Sequence, residues 1–293
     1  MEVRPFFAII MTISHLLKKA KAVSANRDDF LSIEVLLAYV LTKDRAYLFA
    51  HGEEQFGQSA ITRFEGLFQR FIKGEPLAYL TNGQEFYGLH FFVDKRVLIP
   101  RPETEMLVEK TRNFLSSQAK GLTQKVVDVG TGSGCIAVSI AKFFPSATLT
   151  ATDISSDALE VALKNAQIHG VATRINFLRS DLLVNLPGNY DVVVANMPYI
   201  GTKRFSFIGR SVQEYEPGIA LFGGDDGMKI YEKLFIQLAS KPWKPKLFIG
   251  EFGFLQRDEM DVLLHRYFPR CKINYEEDAA HIDRMFVVES QLQ

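Results

Sequence analysis

The sequence predicts an α/β protein, with a mostly parallel sheet covered by helices on both faces and a small helical domain ahead of it. Three observations carry this. From Thr12 to Lys73 the apolar residues recur at i, i+3, i+4. From about Pro102 onward, short apolar runs alternate with amphipathic segments, the pattern of strands joined by crossover helices. Between the two lies "EFYGLHFFVDKRVLIPRPETE", a stretch of aromatic and β-branched residues that contains two prolines.

In the first region the helical sets are Ile13, Leu16, Leu17 and Ala20; then Ile33, Leu36, Leu37 and Val40; then Phe64, Leu67, Phe68 and Phe71. Thr12 is placed to cap the first, and Gly74 with Pro76 stops the last. The middle stretch reads as a hairpin or linker turning at Asp94-Lys95. The expected division is a helical domain over 1–84, a hairpin linker over 85–101 and the α/β domain over 102–293. In that domain "KVVDVG", "ATLTATD", "RINFLRSD", "YDVVVAN", "KLFIGEF" and "RMFVVES" read as strands. "CIAVSIAKFF", "SSDALEVALKNAQIHG" (Ser155 cap, Gly170 stop), Gly227–Ser240 and Leu255–Tyr267 read as helices.

Composition narrows the function classes. Hydrophobic residues make up 47% and charged residues 23% of the 293, which describes an ordinary globular protein. The balance of 34 basic against 34 acidic side chains removes the overall basic footprint of a nucleic-acid binder, so no nucleic-acid partner is expected. Cys135 and Cys271 form neither a disulfide framework nor a zinc spacing, and no metal is expected; a reducing, cytoplasmic setting fits. The apolar run Pro5–Ile13 is too short to span a bilayer and precedes two lysines rather than a cleavage site. No targeting or membrane segment is expected, and Met11 is an alternative start.

"VVDVGTGSGCIAV" sets Gly130, Thr131, Gly132, Ser133 and Gly134 between a strand and a helix, where glycine lets the backbone approach a ligand at a helix N-terminus. A relaxed dinucleotide fingerprint can be drawn through Gly132, Gly134 and Ala137, so a nicotinamide cofactor stays open. The fuller pattern is D-x-G-x-G-x-G, with Asp128 ahead of the glycines. A carboxylate there repels a pyrophosphate but accepts hydrogen bonds near an ammonium group, which favours S-adenosylmethionine and methyl transfer. Asp153, ending the next strand, suits the ribose hydroxyls. Asp181 and Leu182 are candidates for the adenine, with a solvated loop aspartate as the plain alternative.

"NMPY", Asn196 to Tyr199, ends the fourth strand of the series beside the expected position of the methyl group. "PRPETE", "DVGTGSG", "ATDIS", "NMPYI", "EPGIALFGGDDG" and "DRMFVV" occur in this order, and with them the chain resembles the release factor glutamine methyltransferases of the PrmC/HemK type over nearly its whole length. The resemblance implies a Rossmann-like class I methyltransferase domain with a seven-stranded sheet. It also implies an S-adenosylmethionine-dependent enzyme that methylates the side-chain amide of the glutamine in the Gly-Gly-Gln loop of class 1 peptide release factors. A monomer is expected. On the reading that the resemblance gives, the Asn196 oxygen and the carbonyl of Met197 accept the two amide N–H groups, Pro198 fixes the geometry, and Tyr199 packs on the amide and excludes water.

Two positions depart from the family. Met197 stands where the family has proline, which frees φ and adds an N–H that needs a partner. Asn82 stands where glycine is usual, and asparagine tolerates the left-handed backbone required there. "PRPETE" reads either as a closure over the methionine end of the cofactor or as a rigid linker. "FGGDDG" reads as a tight turn before a helix, and Glu251 as a strand-end acceptor near the site. The competing functions are a ribosomal-protein glutamine methyltransferase, an exocyclic-amine DNA methyltransferase, a nicotinamide oxidoreductase and an inactive cofactor-binding protein.

Overall fold

A computed structural model describes residues 11–24, 29–118, 123–203 and 208–290. Most of the run Pro5–Ile13 lies outside the described residues. Contacts divide the chain into a smaller unit, Met1–Asn82 with Arg210–Tyr215, and a larger one, Gly83–Gly209 with Glu216–Gln293.

The smaller unit contains β1 (Met11–Thr12), α1 (Ile13–Val23), α2 (Asp29–Leu41), α3 (Arg45–Ala50), β2 (Gln55–Phe56), α4 (Gln58–Ile72) and α5 (Leu77–Thr81). Thr12 caps α1 by accepting from the His15 N–H at 3.2 Å. The expected helical faces converge on one core, with Ile33, Leu36 and Leu37 fully buried. Glu34, buried on α2, is offset by Lys21 at 2.5 Å and Arg45 at 2.6 Å, which hold its carboxyl below the ordinary range against the cost of burial. Asn82 ends α5 at φ 52°, ψ 36°, the left-handed conformation expected of it.

The larger unit opens with a hairpin, β3 (Gln84–Phe86) and β4 (Leu89–Phe91). Its turn is Tyr87-Gly88, with φ of 51° and 70°, not Asp94-Lys95. A two-residue loop with both φ positive matches the twist of the strands, and glycine at its second position lowers the strain. The hairpin is no free linker, because Phe86 and Phe91 are buried in the core of this unit. Next come α6 (Glu105–Ser117), β5 (Lys125–Val129), α7 (Cys135–Phe143), β6 (Thr148–Asp153), α8 (Ser156–Ile168), β7 (Ile175–Arg179) and β8 (Val192–Asn196). After α9 (Arg210–Tyr215), which groups with the smaller unit, the chain adds α10 (Lys229–Ala239), β9 (Leu247–Glu251), α11 (Arg257–Tyr267), β10 (Lys272–Glu277) and β11 (Asp283–Glu289).

The sheet has seven strands in the order β10-β11-β9-β8-β5-β6-β7; β11 runs antiparallel to both of its neighbours and the other pairs are parallel. Val126, Val194 and Ile249 face one layer that includes residues of α6, α7 and α8, and Val127, Val193 and Phe248 face a second that includes α10 and α11. Burial on both faces explains the near-continuous apolar strands of the sequence. Chain order reverses between β5 and β8, and at such a switch point the strand ends leave a crevice for a ligand.

Candidate active site

A cavity of about 330 Å³ opens at this crevice, within the size range of small-molecule sites. Gly130, Thr131, Gly132, Ser133, Asp153, Asp181, Leu182, Asn196, Met197 and Pro198 all line it. Asp128, Gly134 and Tyr199, the other expected site residues, do not line it.

The reason for Asp128 is its register. It stands beside Ala151 and Val194 on the face of β5 that α7 covers, with no solvent exposure. Its Oδ2 accepts from the Thr131 hydroxyl at 2.6 Å and the Ala137 N–H at 3.2 Å, while Oδ1 has no partner among the described residues. Burial pushes this carboxyl up to about 7. Asp128 thus braces the glycine loop from beneath, where the sequence suggested direct contact with an ammonium group.

The loop is tied on all sides. Thr131 N–H donates to the Thr152 carbonyl at 2.8 Å, Gly132 N–H to Asp153 Oδ2 at 2.9 Å and Gly134 N–H to the Thr131 carbonyl at 2.8 Å. These committed amides are unavailable to a pyrophosphate, so the loop fits a cofactor without one. Gly130, Gly132 and Gly134 have φ of 70°, 56° and 80°, and a Cβ on Gly134 would meet Ala162 of α8 at 3.0 Å. Asn165, fully buried on α8, adds a tie that the sequence did not reveal: its amide donates to the Ser133 carbonyl at 2.8 Å and exchanges two bonds with Phe92.

Asp153 accepts the Ser155 N–H at 2.9 Å on Oδ1, and Ser155 itself caps α8. Each Asp153 oxygen keeps a lone pair for a ribose hydroxyl. Burial raises its pKa, opposed by the N–H groups of Ser155 and Gly132. Asp181 is paired with Lys233, which also lines the cavity. Cys135 lines it too, but burial pushes its thiol up to about 12, which leaves no thiolate to act as a nucleophile.

At the other end of the cavity Asn196 donates through Nδ2 to Thr104 Oγ1 at 3.0 Å and to Glu251 Oε2 at 3.1 Å. Thr104 donates its own proton to Glu251 Oε2 at 2.6 Å, so both neighbours present only acceptors to Asn196. That fixes which end of the amide faces inward and leaves Oδ1 without a share in this network. The Tyr199 hydroxyl donates to Glu251 Oε1 at 2.9 Å. Glu251 is buried, and desolvation raises its pKa against the hydrogen bonds from Thr104 and Tyr199. Thr104 is the partner that sequence reading missed, since "PRPETE" read only as a closure or a linker.

"FGGDDG" does more than turn the chain. A Cβ on Gly223 would lie 2.3 Å from the Pro198 carbonyl oxygen, and one on Gly227 would lie 2.0 Å from that of Tyr199. Gln256 donates to the Tyr199 carbonyl at 2.7 Å. Backbone therefore packs directly against the back of NMPY, and only glycine allows that approach.

The doubly wound sheet, the glycine loop with its committed amides and the asparagine at the strand end define an S-adenosylmethionine-dependent methyltransferase. Residues 104–210 match the methyltransferase small domain and residues 9–81 the PrmC N-terminal domain. A release factor glutamine methyltransferase of Koribacter versatilis is 40% identical over 80% of this chain and 82% of its own length. One from Clostridium acetobutylicum is 35% identical over 94% and 97%. The chain belongs to the release factor glutamine methyltransferase family. The catalytic domain of human METTL16 shares the fold, with a TM-score of 0.57 at 14% identity over 88% of this chain and 93% of that one. No described helix is long and apolar enough to cross a membrane.

Proposed function

We propose that this chain methylates the side-chain amide nitrogen of the glutamine in the Gly-Gly-Gln loop of class 1 peptide release factors, acting as a monomer in the cytoplasm. The observation that carries the reading is the orientation of Asn196. With Nδ2 committed to Thr104 and Glu251, the oxygen Oδ1 is the group left to accept from a substrate N–H.

When bound, the cofactor supplies an electrophilic methyl group on a sulfonium sulfur. Asp153 would hold the ribose, Leu182 and Asp181 the adenine, and Gly130 to Gly134 the edge of the cofactor; Asp128 would act through the loop it braces. An amide nitrogen is a weak nucleophile because its lone pair is delocalised, so the work of the protein is alignment. Asn196 Oδ1 and the Met197 carbonyl each accept one amide N–H, which turns the nitrogen toward the cavity. Pro198 restricts Met197 to extended angles, and Tyr199, held by Glu251, closes the side away from the cofactor. Glu251, which accepts from Thr104 and Asn196 on Oε2 and from Tyr199 on Oε1, orients the site.

The test is methyl transfer from labelled S-adenosylmethionine, offered in parallel to a release factor, the same factor with its loop glutamine replaced, ribosomal proteins and duplex DNA. Label on the intact release factor alone is expected. Label on a ribosomal protein or DNA overturns the substrate.

A further inference from the structure

The N–H that Met197 adds, where the family has proline, has found a partner. Met197 is 2% exposed, so an unanswered donor there would be costly. Its N–H points at the Tyr231 hydroxyl, 3.4 Å away. Tyr231, on α10, is wholly buried and its ring is wedged between Phe235 and Phe286, at centroid distances of 5.7 and 5.5 Å. The hydroxyl has one proton to give and directs it at the ends of two strands, the Glu251 carbonyl and the Ala195 carbonyl, the latter at 3.2 Å. Its oxygen keeps acceptor capacity, and the Met197 N–H uses it.

We infer that Tyr231 is a positioning residue for methyl transfer, fixing the Met197 backbone, and with it the Met197 carbonyl, through the N–H that proline would lack. The Met197 side chain adds a second hold: its Cε lies over Gly130, 2.3 Å from where a Cβ on that glycine would sit. Hydrogen bond and side chain together restrict a φ that proline would have fixed covalently. The departure from the family pattern is thereby absorbed by a neighbour rather than left as a defect. This rests on the proposed function only for what the alignment is used for.

The test is a double-mutant cycle of Tyr231→Phe and Met197→Pro, read by kcat and KM for the acceptor and by hydrogen exchange at the Met197 amide. In the parent, Tyr231→Phe strands a buried N–H and is expected to lower kcat about tenfold with a smaller change in KM. In the Met197→Pro background there is no N–H to strand, and the same change should cost about twofold, from the bonds to the strand carbonyls alone. Equal losses in the two backgrounds would overturn the inference. Hydrogen exchange needs no acceptor and separates this inference from the choice of substrate. The Met197 amide should be protected in the parent and exchange faster in Tyr231→Phe. If that variant does not fold, the parent amide alone decides, and exchange at the rate of an open loop amide would sink the inference.

Discussion

Thr104 and Glu251 stand 147 positions apart in the chain, and the Thr104 hydroxyl donates to Glu251 Oε2 at 2.6 Å. Because that proton is spent on the carboxylate, the threonine oxygen can only accept from Asn196. Thr104→Val removes the acceptor, and Glu251→Ala removes the carboxylate that holds Asn196, Thr104 and Tyr199 together. Both should lower kcat, about tenfold for the first and about a hundredfold for the second, with cofactor affinity nearly unchanged. Steady-state kinetics with a separate cofactor titration checks this; a loss confined to cofactor binding would contradict the orienting role.

Asn196→Ala should abolish most methyl transfer, because Oδ1 has no substitute at that place. Met197→Pro should retain or raise activity, since only the carbonyl of this residue is asked to meet the acceptor. The same change removes a buried side chain from the core and should cost about 1–3 kcal/mol of stability. Parallel assays and thermal unfolding would show activity and stability moving in different directions.

The glycines behind NMPY make a sharper contrast. Gly223→Ala drives a methyl group into the Pro198 and Gly227 carbonyls, at 2.3 and 2.4 Å, so the backbone must shift. A displacement near 1 Å is expected to cost about a hundredfold in rate. Gly66→Ala in α4 meets open space in a helix and should instead stabilise by up to about 1 kcal/mol, with activity unchanged. Melting curves and initial rates of the two variants distinguish these outcomes.

Asp128 makes stability depend on pH. Burial raises its folded value from 3.8 to about 7, so the native chain holds a proton that the unfolded chain releases between those values. The stability this contributes is fully present below about pH 4, declines as pH rises and is lost once pH passes about 7. Asp128→Asn cannot titrate, so its melting temperature should lack this decline. Unfolding of both proteins across the range is the check; parallel curves would contradict it.

Much of the fold is legible because the sequence repeats its physics locally. The strand "YDVVVAN", the Ser155 cap and the left-handed Asn82 each follow from residue type and neighbours. β10 was missed because its residues are half-exposed on both faces and mix polar with apolar, so neither period stands out. The α6 helix begins within "PRPETE", whose two prolines point toward a linker, although the short 3-10 turn Pro102–Thr104 that leads into the helix carries Thr104 to Asn196. Asp128, Asp153 and Asn196 are singled out by motif. What Asp128 does is not, because the face of β5 that it occupies depends on where α7 packs. Asn165 and Tyr231 look like ordinary helix residues in one dimension, and their partners Ser133 and Met197 lie 32 and 34 positions away.

The most direct test is to incubate the protein with S-adenosylmethionine and a release factor, then locate the added methyl by tandem mass spectrometry, with Asn196→Ala in parallel. The account predicts a single methyl on the side-chain amide of the loop glutamine, nearly absent with Asn196→Ala. A methyl on any other residue, or equal modification by the two proteins, would contradict it.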